Sequence, residues 1–257
     1  MSVIESVATS LRDAEHSGVA IDKPSLTHSM SVDDAYAVQQ HNIQRRVGAG
    51  ARLIGRKIGI TSKALMEWLK VGEPDFGALL DDMLVDDGGV CPMKGLLQPR
   101  VEGEIAFVLK SDLRDPRTTA IDVVAATAHI AASIEIIDSR VKDWQITLAD
   151  TIADNASSAR FVVSSTTATL AGIDLALAGC VLRKNGAVAS TGAGAACFNH
   201  PVNAVAWLAR TLAKQGTPLL AGDVVLSGAM CPVVPVASGD VVEVEIAHVG
   251  RCSVRFM

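Results

Sequence analysis

The sequence predicts an α+β protein, with a helical extension over residues 1–50 and one β-rich mixed domain over residues 51–257. Three observations carry this. Helix periodicity and capping residues fill the first fifty positions. Short β-branched runs broken by Gly, Pro and Asp replace them from about residue 52, and strand patterns dominate the approach to the C-terminus. No internal repeat of roughly 20–50 residues, low-complexity tract or evident linker divides the chain further.

The elements follow in order. Ser31 is placed to cap a helix over SVDDAYAVQQHNIQRRV, with Asp33 and Asp34 in its first turn, Arg45 and Arg46 in its last, and Gly48 as its stop. RLIGRKIGI reads as a strand, TSKALMEWLK as a short helix capped by Thr61 or Ser62, and EPDFGALLDDMLVDDGG as a further run with turn punctuation. Thr119 and Asp122 frame a capping box for a helix IDVVAATAHIAA that leads into SIEIID. VLRKNGAVAS is a hairpin whose Asn185-Gly186 pair suits a two-residue type I′ turn, because both residue types tolerate positive φ. One more helix, NAVAWLARTLAKQG, ends at Gly216, and VVLSG, DVVEVEIAHVG and CSVRFM close the chain as strands.

Composition narrows the function. With 257 residues, 49% of them hydrophobic, the chain can bury a sizeable core. A net charge of -5 and 4% aromatic residues supply neither a basic footprint nor stacking platforms, so no nucleic-acid partner is expected. No apolar stretch reaches the ~18 residues of a membrane span; the longest, around 120–137, is broken by Asp122, His129 and Glu135. The start, MSVIESVATSLRDAEHS, has early acids and no basic segment before an apolar block, so a cytoplasmic location is expected. Cys91, Cys180, Cys197, Cys231 and Cys252 form no C-x-x-C pair and are expected as reduced core thiols. The six histidines lack metal-ligand spacing. So apolar a chain is expected to hide further surface in a homo-oligomer.

The informative stretch is QPRVEGEIAFVL, residues 98–109. In a strand, alternate side chains share a face, so Glu102, Glu104, Ala106 and Val108 oppose Val101, Gly103, Ile105, Phe107 and Leu109. Either the glutamates lie at an exposed strand end, or they converge, about 6.6 Å apart along the strand, on one ion. Buried together, they need protonation or a cation, and a hard divalent ion such as Mg²⁺ takes carboxylate oxygens. Glu135, between Ile134 and Ile136, is a third carboxylate in an apolar setting; it either pairs with an arginine such as Arg140 or joins the ion. Lys57 in GRKIGITS reads as a surface lysine or a site residue, and Asp75 in EPDFG as a turn cap or an acid.

RVEGEIAFVL, EIIDSRVKDW and DTIADNAS, with AYAVQ, GRKIGITS, GEPDFGALLDDM, HPVNAVAWLA and AGDVVLSGAMCP at matching separations, resemble the fumarylacetoacetate hydrolase superfamily over nearly the whole chain. Within it they are most similar to the 2-hydroxypenta-2,4-dienoate (2-oxopent-4-enoate) hydratases of meta-cleavage pathways. The resemblance implies a mixed β-sandwich or β-roll core, Mg²⁺ or Mn²⁺ on Glu102, Glu104 and Glu135, and proton transfer by Asp75 with Lys57 beside it. Asn155 and Ser157 of the DNASSA block are candidates for holding substrate or water, the alternative being a helix-ending turn at Asp154 and Asn155. The implied activity adds water to a 2-hydroxydienoate. A 4-oxalocrotonate-type decarboxylase on the same metal site is the alternative, and Asp75 favours hydration, since decarboxylation needs an electron sink but no base for water. Association with a neighbouring pathway enzyme is a further expectation.

Overall fold

The computed structural model describes residues 2–257. Two helices open it, α1 (Val3–Ser17) and α2 (Val32–Gly48), each started by a capping box, Ser2 with Glu5 and Ser31 with Asp34. Gly48 is the last residue of α2 rather than its stop; the reversal falls at Gly50, whose φ of 112° suits glycine. There follow β1 (Leu53–Gly59), α3 (Lys63–Leu69), capped by Ser62, and β2 (Asp75–Leu80). Next come β3 (Leu84–Val85), β4 (Val90–Cys91), β5 (Arg100–Leu109), α4 (Ala120–Ala126) and β6 (Thr127–Ile137). A short α5 (Leu148–Ala153) leads into β7 (Ser158–Ala168). The hairpin of β8 (Gly179–Lys184) and β9 (Ala187–Ala193) turns through Asn185 and Gly186 at φ 54° and 80°, as expected for Asn-Gly. Then α6 (Pro201–Lys214) precedes β10 (Val224–Leu226), β11 (Val234–Pro235), β12 (Val241–Ile246) and β13 (Gly250–Phe256).

The strands form two mixed sheets. One runs β2-β1-β10-β5-β6-β7-β3 with β11 beside β5; the other runs β4-β13-β12-β8-β9. They pack face to face through Val101, Ile105, Phe107, Ile134 and Ile136 on the first and Leu182, Val242, Val244 and Val254 on the second, with α6 completing the core through Val205 and Leu208. A Cβ added at Gly103 would lie 2.8 Å from Cys180 Sγ and 3.2 Å from a Val244 methyl, so glycine there lets β5 approach the second sheet. This is the β-sandwich architecture that the resemblance implied. All five cysteines are buried and unpaired, as expected of core thiols.

One expected helix is much shorter. The capping box at Thr119 and Asp122 is present, but α4 ends at Ala126, and TAHIAASIEII continues as the eleven-residue strand β6 between β5 and β7. The alanines of this run suit a central strand covered on both faces as well as they suit a helix. The N-terminal helices pack on α5 through Val7, Leu11, Val38 and Ile152. Gln39 of α2 donates through Nε2 to the carbonyls of Phe76 and Ile152, tying β2 to α5. Among the described residues, no helix is long and apolar enough to cross a membrane.

Candidate metal centre and cleft

The antiparallel register of β5 and β6 sets Glu102 directly opposite Glu135, and Glu104 opposite Ser133. With the two-residue period of β5, this brings all three carboxylates to one face, opposite the inter-sheet core. One oxygen from each lies within 4.8 Å of the others. Glu104 and Glu135 are fully buried, and Glu102 is half-buried. The Gly228 backbone N–H donates to Glu104 Oε2 at 2.7 Å, while Glu104 Oε1 and both oxygens of Glu135 accept no hydrogen bond.

Lys57 on β1 points into the same cluster, since its cross-strand row runs through Leu226 of β10 to Ala106 of β5. It is 3% exposed, not a surface lysine, and its Nζ lies 3.3 Å from Glu135 Oε1, an ion pair without hydrogen-bond alignment. Burial opposes its charge, but Glu135, Asp75, Glu102 and Glu104 together outweigh that and hold its pKa above the ordinary value. Glu135 thus pairs with Lys57. Arg140, the arginine first considered for it, is instead bound to Asp154, whose carboxylate accepts from its backbone N–H at 2.9 Å and from Nε.

Asp75 opens β2 rather than capping a turn. It is 1% exposed, and neither carboxyl oxygen has a hydrogen-bond partner. It sits across from Gly59 in the β1–β2 ladder, where any Cβ would overlap Asp75 Oδ1, so glycine makes the room this acid occupies. Burial pushes the carboxyl up to about 6, against the pull of Lys57 and with Glu135 adding to the rise.

Lys57, Asp75, Glu102 and Ser157 line one cleft of about 230 Å³, whose remaining walls are largely apolar. Ser157 Oγ lies 3.2 Å from Thr151 Oγ1, a hydroxyl pair on the cleft wall. Asn155 is a correction: it does not line this cleft, and its side-chain amide is committed to Ala78, accepting from the N–H at 2.8 Å and donating to the carbonyl at 3.0 Å. The turn alternative holds here. Asn155, Ala156 and Ser157 all have left-handed φ, at 56°, 50° and 57°. Such conformations cost on the order of 1–3 kcal/mol per residue, and the Asn155 clasp and the Arg140–Asp154 pair hold the turn that presents Ser157. Sequence reasoning missed Arg100, Trp144 and Thr151, which also line the cleft. Arg100 was legible, being two residues from Glu102 on the same strand face; the other two sit where only the loop path brings them.

The donor set fits a hard divalent cation. It offers oxygen only, three of those oxygens are buried acceptors without a donor, and one ammonium cannot balance four neighbouring carboxylates. Without a cation, burial and mutual repulsion push Glu102 up to about 8 and Glu104 well above the carboxylate range. Raised acid pKa values mean that the metal-free fold holds more protons than the unfolded chain between about pH 4.3 and 8, so stability falls as pH rises through that window. A divalent ion competes with those protons. The rise in Tm on adding Mg²⁺ is therefore expected to be larger at about pH 8.5 than at about pH 6. A shift independent of pH in calorimetric melts would remove the glutamates from the binding site.

Fold and site together define a class: a mixed β-sandwich protein with an all-carboxylate cluster that fits a divalent cation beside a cleft. A model of the fumarylacetoacetate (FAA) hydrolase C-terminal family matches residues 60–257. The chain is 48% identical over 253 residues to a 2-keto-4-pentenoate hydratase of Paraburkholderia xenovorans (strain LB400), covering 98% of this chain and 94% of that one. It is also 48% identical over 229 residues to a 2-hydroxyhexa-2,4-dienoate hydratase of Comamonas testosteroni, covering 88% and 87%. Among solved structures, 4-oxalocrotonate decarboxylase from Pseudomonas putida G7 complexed with magnesium and adipate superposes with a TM-score of 0.94 at 38% identity, over 99% of this chain and 97% of that one. The chain belongs to the fumarylacetoacetate hydrolase family.

Proposed function

We propose that this protein is a metal-dependent hydro-lyase that adds water to 2-hydroxypenta-2,4-dienoate, or to a short alkyl homologue, giving 4-hydroxy-2-oxopentanoate in a meta-cleavage pathway. The observation that carries the reading is Asp75. It is a buried acid without a hydrogen-bond partner, pushed up to about 6 beside the glutamate cluster without belonging to it, in a chain 48% identical over 98% of its length to a 2-keto-4-pentenoate hydratase. Held by Glu102, Glu104 and Glu135, Mg²⁺ or Mn²⁺ would supply Lewis acidity to the 2-oxo acid end of the substrate.

The rest falls to the chain's own residues. Hydration of the dienol adds a proton at C5, the water hydroxyl at C4 and a proton at C3, while the C2 hydroxyl loses its proton and becomes the 2-oxo group. The Asp75 carboxylate takes the C2 hydroxyl proton and delivers it to C5; it then accepts a proton from the water that adds at C4 and returns it to C3, ending as the carboxylate it began, a relay helped by burial that pushes its pKa up to about 6. Lys57, paired with Glu135, opposes the rise in the Asp75 pKa and so helps to keep that acid able to give up its proton. The Ser157 and Thr151 hydroxyls offer hydrogen bonds to substrate or water on the cleft wall. Apolar side chains left exposed on the outermost strands of the second sheet, Val90 and Val188, support a homo-oligomer.

The likeness to a decarboxylase structure makes 4-oxalocrotonate the rival substrate. Ultraviolet kinetics on freshly generated 2-hydroxypenta-2,4-dienoate, with and without Mg²⁺, test the proposal. Loss of dienol absorbance that requires the metal, with no faster release of CO₂ from 4-oxalocrotonate, is the expected result; the reverse ranking overturns it.

A further inference from the structure

Two apolar residues of the cleft are held in backbone conformations that residues with side chains seldom adopt. Ile60 and Trp144 both line it, and both have left-handed backbones, each with φ 56°. For a β-branched residue such as Ile60 this is a genuine outlier, kept only where the surroundings over-determine it. Trp144 is fixed three ways. Its indole N–H donates to the Gln98 carbonyl at 3.2 Å, the preceding Asp143 N–H donates to Gln98 Oε1 at 2.7 Å, and the Arg100 guanidinium lies 4.5 Å from the ring centroid. Gln98 is itself anchored by donation to the carbonyls of Ser139 and Val141. Leu65 and Leu69, one helical turn apart on α3, also line the cleft.

Charge decides what this part of the cleft receives. Lys57 is engaged by Glu135, and among the described residues Arg100 has no carboxylate within ion-pairing distance. Arg100, two residues from Glu102 on the same face of β5, belongs with the glutamate end of the cleft and suits the single carboxylate of a 2-hydroxydienoate, which leaves no free side-chain cation for a second. Leu65, Leu69, Ile137, Ile146 and Val233 line the same cleft as Trp144 and Ile60 with hydrocarbon.

We propose that Trp144 and Ile60 form a preorganised apolar subsite for the uncharged tail of the substrate beyond C5, so that these two residues set chain-length preference. The proposal rests on the hydratase reading above. Burying one further methyl group in such a pocket is worth about 10-fold or more in kcat/KM, so the wild type is expected to favour 2-hydroxyhexa-2,4-dienoate over 2-hydroxypenta-2,4-dienoate by that margin. Trp144→Ala and Ile60→Ala should each bring the ratio to within about threefold. Trp144→Phe and Ile60→Val, which keep an apolar wall, should preserve it. Thermal melts and Mg²⁺ titration establish that each variant is folded.

A ratio unchanged in both alanine variants, a wild-type ratio near one, or a preference for a homologue ending in carboxylate overturns the subsite. Calorimetric binding of 2-oxopentanoate and 2-oxohexanoate in the presence of Mg²⁺ separates the two claims. If neither dienoate is turned over, yet the longer oxo acid binds more tightly to the wild type and not to Trp144→Ala, the hydratase reading fails and the subsite stands. Equal binding of both acids to the wild type removes the subsite whatever the activity.

Discussion

Glu104→Gln is expected to abolish metal-dependent turnover while leaving the protein folded. Glu104 is fully buried, one oxygen takes the Gly228 N–H, and the other faces Glu102 and Glu135 with no donor of its own. The amide keeps the shape but removes a charge and presents N–H donors where a cation needs acceptors. Losing Lewis-acid stabilisation worth several kcal/mol corresponds to a fall in kcat/KM of about 10³-fold or more. The same change removes a carboxyl that burial holds far above its ordinary pKa. Metal-free Glu104→Gln should therefore melt at or above the wild-type temperature at about pH 8 while losing the Mg²⁺-induced shift. Loss of activity together with a lower metal-free Tm would indicate damage to the fold, and full activity or a retained Mg²⁺ shift would show that the ion is held elsewhere.

That one face of β5 carries both glutamates was legible because a strand's period of two needs no knowledge of its neighbours. Glu102 and Glu104 oppose Ile105 and Phe107 whatever β5 pairs with, and the hydrophobic clusters fall on the faces expected. The Ser31 cap and the Asn185-Gly186 turn were legible for the same reason, their chemistry being local. Pairing across elements was not. The meeting of Glu135 with Glu102 depends on the β5–β6 register, and β6 itself was concealed by the alanines that make its N-terminal half pass for helix. Asp75 looked like a turn cap because Pro74 and Gly77 flank it. Its burial is imposed from outside, by Gly59 across the ladder and by α2 held against β2 through Gln39. Asn155 reads as a substrate or water ligand because a polar turn near the metal would place it there, whereas its amide holds the strained turn to Ala78.

Asp75→Asn is expected to lower the hydration rate by at least about 10²-fold, the low end of the range for a lost general acid or base, with little change in Mg²⁺ affinity. The substitution is nearly isosteric, so the space made by Gly59 is still filled, and Lys57 keeps Glu135 as its counter-ion. What disappears is a proton that can be held and released near neutrality. In the wild type the carboxyl sits at about 6 without a cation, and a neighbouring divalent ion lowers it by favouring the charged form. The acidic limb of the wild-type pH–rate profile should therefore lie at or below about pH 6, and it should be absent from the residual activity of Asp75→Asn. Hydration within a few-fold of wild type would place the proton carrier elsewhere in the cleft. Loss of Mg²⁺ affinity as large as that in Glu104→Gln would make Asp75 a ligand instead of an acid. If the wild type releases CO₂ from 4-oxalocrotonate faster than it hydrates the dienol, and Asp75→Asn leaves that rate untouched, the buried acid has no part in the main reaction and decarboxylation is the activity this site serves.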